Sequence, residues 1–143
     1  MSRVLIDTNI FVYGIDEDSK YFDQSKQILD QTEKQLVTTS KNLIEFLTVV
    51  TKSSGYNLNS ELALEIIEEI IQSVDVIYPT PESLAILLDL VHRYSPSGLK
   101  IHDFEIISIG LAHGIHEVAT FNTKDFQSVQ EISLSDIYRR LIE

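Results

Sequence analysis

Val4-Leu5-Ile6-Asp7-Thr8-Asn9-Ile10-Phe11-Val12-Tyr13 is the stretch on which the fold turns. Its opening three residues are a short apolar run of the kind that makes a buried strand. Asp7, Thr8 and Asn9 then supply the short polar side chains that start helices, and Ile10, Phe11 and Val12 resume the apolar character at once. A strand feeding straight into a helix predicts an α/β protein. A carboxylate just past the end of that strand lies where open parallel sheets bind their ligands.

The same alternation continues outward. Residues 21–31, with Phe22, Ile28 and Leu29 among polar neighbours, predict an amphipathic helix, and Leu36 to Thr38 a short strand. Ser40 reads as the N-cap of a helix over 42–50 whose stripe is Leu43, Phe46, Leu47 and Val50, ended by Ser53-Ser54-Gly55. Asn59 or Ser60 caps a helix over 62–72 with Leu62, Ile66 and Ile70 on one stripe, and Val74 to Tyr78 predicts a strand stopped by Pro79. Thr80-Pro81-Glu82 opens a helix reaching Tyr94, with proline at its favoured first position. After a loop at 95–98 comes a helix over 101–113 that is apolar on most sides, ended by Gly114, and then a strand from Glu117 to Phe121. The tail predicts an edge strand at 132–134 and a capping helix over 135–142. This order implies one domain over residues 1–143: a mostly parallel central sheet flanked by helices in three α/β/α layers, with right-handed crossovers.

Composition narrows the chemistry. The chain of 143 residues has no cysteine, which removes disulfides, thiolate metal sites and cysteine nucleophiles and leaves oxygen and imidazole as metal donors. No apolar run approaches the roughly 20 residues that span a bilayer, and the start shows no signal-peptide pattern, so the expected location is the cytoplasm, away from membranes. Twenty-two acidic against eleven basic residues give a net charge of −11, which runs against the basic footprint usual for nucleic-acid binders. Bound divalent cations, or a basic protein partner, would offset that charge.

Polar residues following strands are the candidates for a site. Asp7 follows the first strand, and Asp125 lies in Asn122-Thr123-Lys124-Asp125-Phe126, beyond the strand ending near Phe121. Asp103 stands at the edge of the stripe Ile101, Phe104, Ser108, Leu111 in an otherwise apolar helix, where an unpaired buried charge would cost several kcal/mol. Glu45 lies opposite its helix's main stripe, yet Ile44 and Val49 flank it, which predicts a helix covered on two faces with the carboxylate in a gap between elements. Carboxylates around one pocket repel each other, and magnesium or manganese would relieve the repulsion; two such ions about 4 Å apart organise phosphodiester hydrolysis. Thr8 and Asn9 are placed to orient Asp7, and Lys100 and Lys124 to meet phosphate. Plainer readings exist for each acid: an N-cap for Asp7, an Asx turn for Asp125, a hydrogen-bonded buried acid for Asp103 and a solvated helical residue for Glu45. The four histidines lack a ligand spacing that suits zinc, and Glu65, Glu68 and Glu69 read as a solvated face.

The opening stretch, Asn42-Leu43-Ile44-Glu45-Phe46, Ile101-His102-Asp103 and Ala119-Thr120-Phe121-Asn122-Thr123-Lys124-Asp125-Phe126 together resemble the PIN-domain family, and among its members the short VapC-type toxin ribonucleases of bacterial toxin–antitoxin systems. The likeness runs from Val4 to about Phe126 in the right order. It implies a PIN-like α/β/α fold and Asp7, Glu45, Asp103 and Asp125 as metal-binding, catalytic acids, supported by Thr8, Asn9 and Asn122. It further implies a magnesium- or manganese-dependent endoribonuclease, an RNA substrate, a homodimer and a cognate antitoxin. Phe121 stands where many members carry arginine, which removes one phosphate contact.

Other functions are separable. A phosphatase of the haloacid-dehalogenase type needs a second aspartate two residues after the first, where this chain has Asn9. A nuclease of RNA maturation would share the acids without an antitoxin. A catalytically silent PIN-fold interaction module would gain stability by losing its clustered carboxylates.

Overall fold

The structure, a computed structural model, describes residues 1–137. The elements in chain order are β1 (Arg3–Ile6), α1 (Thr8–Tyr13), α2 (Phe22–Asp30), β2 (Gln35–Thr39), α3 (Ser40–Thr51) and α4 (Ser60–Ser73). They continue with β3 (Asp75–Ile77), α5 (Pro81–Tyr94), α6 (Lys100–Ala112), β4 (Glu117–Ala119), α7 (Thr123–Phe126) and β5 (Ser133–Leu134). The strands form one sheet in the order β3-β2-β1-β4-β5, every neighbouring pair parallel. This is the mostly parallel, helix-flanked sheet expected from the alternation of elements.

The three layers follow from the pleat. Successive residues of a strand face opposite sides, so Val4 and Ile6 enter a core with Phe11, Ile28, Phe46 and Val50 from α1, α2 and α3. Leu5 points the other way, into a core with Leu90, Phe104, Ile107 and Phe126 from α5, α6 and α7. With both faces covered, β1 has no exposed side to make polar, which is why its sequence is a continuous apolar run. Close packing reaches the backbone at Gly110 of α6, where a Cβ would lie 3.1 Å from a Leu5 methyl.

Several local expectations change. Thr39, not Ser40, caps α3: its hydroxyl accepts the Asn42 N–H and the Asn42 side chain accepts from the Thr39 N–H, a reciprocal capping box. The stripe of α4 is Ala63, Ile66, Ile67 and Ile70, whereas Leu62, at the edge of that stripe in the first turn, is 42% exposed. The flanking of Glu45 is also different: Ile44 is 59% exposed, so that side of α3 borders an open cleft rather than a packed gap. Strand β4 ends at Ala119, two residues earlier than expected, because Thr120 turns its hydroxyl to the Asn122 N–H and so bends the chain out of the sheet. Residues 123–126 then form the short helix α7, which sequence reading did not foresee. The edge strand near 133–134 is present as β5, paired with β4. The capping helix expected over 135–142 falls mostly outside the described residues. Among the described residues no helix is long and apolar enough to cross a membrane.

Candidate active site

Asp7 leaves the central strand β1 at its carboxyl end and becomes the N-cap of α1, its Oδ1 accepting the Thr8 N–H at 2.9 Å. Its second oxygen accepts the Thr120 hydroxyl at 2.8 Å, from the end of the neighbouring β4. The strand order therefore produces this contact, since β4 lies beside β1. Asn9, the second residue of α1, donates its amide to the Thr120 hydroxyl at 3.2 Å, and the Thr120 hydroxyl also accepts the Asn122 N–H at 3.0 Å. Asn9 thus acts on Asp7 through Thr120 rather than directly.

A second strand of hydrogen bonds runs from α3. The Asn42 amide, fully buried, donates to the Thr8 hydroxyl at 2.9 Å and to Asp7 at 3.4 Å, and the Thr8 hydroxyl in turn donates to Glu45 at 3.2 Å. The residue that closes the α3 capping box is therefore also the one that couples Asp7 to Glu45. Asn122 donates its side-chain amide to Asp125 on α7. Glu45, Asp103 and Asp125 line a cleft of about 560 Å³ between α3 and α6, together with Lys41, Lys100, His102 and the apolar Ile44, Leu99 and Ile106. Lys100 lies on this cleft as expected; Lys124 is exposed on α7 and is not part of its lining.

The electrostatics join the acids from both groups. Burial, followed by the charges of Asp7, Asp125 and Glu45, pushes the Asp103 carboxyl up to about 6, against a smaller opposing pull from Lys100. Asp7 is likewise raised, first by burial and then by Glu45 and Asp125, while its hydrogen bonds to Thr120 and Thr8 act in the other direction. With Glu45 and Asp125 beside them, Asp7 and Asp103 lie in a focus of negative potential. Their oxygen-only donor set is of the kind that suits a hard divalent cation. As placed, no three Asp, Glu or His side chains among the described residues make a ready ligating group. Asp7 spends both oxygens on hydrogen bonds and Asp125 is held by Asn122, so a cation would have to draw them together.

Sequence reading missed three contributors. Asn42 looks like an ordinary first-turn residue, and only the tertiary contact between α1 and α3 gives it a second role. Thr120 was reachable by the rule that singled out Asp125, since it is the first polar residue after β4. Lys41, 3.8 Å from Glu105 across the cleft mouth, carries no sequence signal beyond its charge.

Residues 4–132 match the PIN domain family. No curated protein matches the chain. Among solved structures, VapBC-1 from nontypeable Haemophilus influenzae superposes with a TM-score of 0.67 at 21% identity, covering 94% of this chain and 98% of that one. A toxin–antitoxin complex from Klebsiella pneumoniae gives 0.66 at 17% identity over 91% and 95% of the two chains. The Mycobacterium tuberculosis VapC20, a sarcin–ricin-loop-cleaving toxin, gives 0.70 at 13% identity over 87% and 94%. At these identities the likeness is one of fold.

Proposed function

This chain belongs to the PIN-domain family, and from that premise we propose that it is a divalent-metal-dependent endoribonuclease, the toxin of a type II toxin–antitoxin pair. The observation that carries the reading is the convergence of four acids at the carboxyl end of the sheet: Asp7 is tied to Thr120 and Thr8, Thr8 donates to Glu45, and Glu45, Asp103 and Asp125 line one cleft with basic residues on its lining. Magnesium or manganese held by these four acids would supply Lewis-acid activation of water and neutralise charge at the scissile phosphate.

The chain's own residues do the remaining work. Thr120, Thr8 and Asn42 fix the orientation of Asp7, and Asn122 that of Asp125. Lys100 and Lys41 lie on the cleft where they would meet phosphates flanking the reacting one. Lys124, exposed next to Asp125, would meet RNA further out. The solved neighbours that are VapBC or toxin–antitoxin complexes support a cognate antitoxin. A basic antitoxin segment would complement the net charge of −11. Exposed Tyr78, Leu84 and Leu88 supply apolar surface of the kind a homodimer contact covers. The cytoplasm, where RNA and antitoxin would be met, is part of the same proposal.

The test is cleavage of a mixed panel of transfer and ribosomal RNA fragments by partner-free protein in magnesium, manganese or EDTA, beside Asp7→Asn and Asp103→Asn. Metal-dependent cutting that both substitutions abolish is the expected result. Absence of cutting, with neither ion binding or raising the melting temperature, would overturn the nuclease and leave an interaction module.

A further inference from the structure

Beside the Thr120–Asp7 contact, chain segments distant in sequence bring aromatic rings together. Tyr21 and Phe121 stack with centroids 4.4 Å apart and planes 17° apart. Tyr13 lies against both, at 5.2 Å from Tyr21 and 5.9 Å from Phe121. All three are only partly buried, so the group reaches the surface rather than closing over as core. Stacking uses one face of Tyr21, and the ammonium of exposed Lys20 lies 5.0 Å from that ring's centroid.

Position gives the cluster its meaning. The Phe121 N–H donates to Asn9 at 3.4 Å, and the preceding residue, Thr120, donates its hydroxyl to Asp7. Phe121 is thus one residue from the network that orients the central acid. We propose that Tyr21, with Phe121 behind it, is a stacking platform for an unpaired nucleobase of the RNA next to the scissile phosphate. This proposal rests on the nuclease reading above. Lys20 is long and exposed, so it can swing off the ring to a backbone phosphate as a base takes its place. A chain with net charge −11 gains little general attraction for RNA. Stacking is a source of affinity that charge does not oppose, since every base has a π-face.

Because the chain contains no tryptophan, Tyr21→Trp gives a single indole emission at the platform. The experiment titrates the full chain in EDTA with short oligo-adenylate RNA, inorganic polyphosphate and hexa-arginine peptide, and compares RNA affinity for the parent, Tyr21→Phe and Tyr21→Ala. The platform requires quenching by the RNA and not by polyphosphate. It also requires RNA binding weakened about tenfold or more in Tyr21→Ala yet close to the parent in Tyr21→Phe. Equal binding by Tyr21→Ala and the parent, in protein that cleaves RNA when metal is restored, would overturn the platform and leave the nuclease standing. Quenching by the peptide and not by RNA would assign the surface to a protein partner and also overturn it. A parent that neither binds nor cuts RNA would remove the nuclease reading, and the platform with it.

Discussion

Burial, and then three neighbouring carboxylates, disfavour the charge of Asp103, and that conflict is measurable in the free protein. Its carboxyl titrates at about 6 in the fold against an ordinary 3.8, so between those values the native state binds more protons than the unfolded chain. Stability from this group is therefore present at low pH and is lost as pH rises through about 6; Asp7 acts in the same direction. Urea denaturation in EDTA across pH 4.5 to 7.5, comparing the parent with Asp103→Asn, reads this directly: the parent should lose stability relative to the variant as pH rises. At neutral pH Asp103→Asn should melt a few degrees higher than the parent without metal, while losing the stabilisation that manganese confers on the parent. A parent whose stability relative to Asp103→Asn does not change with pH would show that the acids do not share a field.

At the scale of elements, the start of α3 carries both a helix cap and the link between two acids. Thr39→Ala should cost about 0.5–2 kcal/mol, as the loss of an N-cap does, with cleavage only modestly reduced. Asn42→Ala should cost more, about 1–3 kcal/mol, because the buried partners of its amide are left unsatisfied, and cleavage should fall with it. Chemical denaturation beside the RNA assay separates the two. At the end of α6, Gly114 has φ of +76°, so Gly114→Ala should lose about 1 kcal/mol from the left-handed backbone a side chain disfavours. The existence and order of the longer elements were legible because strand runs such as Val4-Leu5-Ile6 and helix stripes such as Phe46 and Val50 carry the period of their structure. The cap of α3 and the end of β4 were not, because side-chain hydrogen bonds decide them: Thr39 with Asn42 in one case, Thr120 with Asn122 in the other.

For the whole molecule, a net charge of −11 with Lys41, Lys100 and Lys20 near the proposed path of the RNA predicts shallow salt dependence. Counting Lys124 as well, four neutralised phosphates on a single strand correspond to a slope of about −3 in log affinity against log salt, and a slope several times steeper would mean a basic surface lies elsewhere. The acids themselves were legible as polar residues after strands or stranded in an apolar helix. That they would share and strain one pocket was expected too; the hydrogen bonds that link Asp7 to Thr120 and, through Thr8, to Glu45 were not, because they depend on β4 pairing with β1 and on α3 meeting α1. That same pairing sets a timetable for synthesis. Asp7 is made near the beginning of the chain, yet its hydrogen-bond partner Thr120 and its neighbours Asp103 and Asp125 come in the final third. A nascent chain that has reached residue 100 therefore holds Asp7 and Glu45 without Asp103, Thr120 or Asp125. If the protein is the nuclease proposed here, such a chain is inert toward the RNA around it, and a working centre assembles only after the segment carrying Thr120 and Asp125 has left the ribosome.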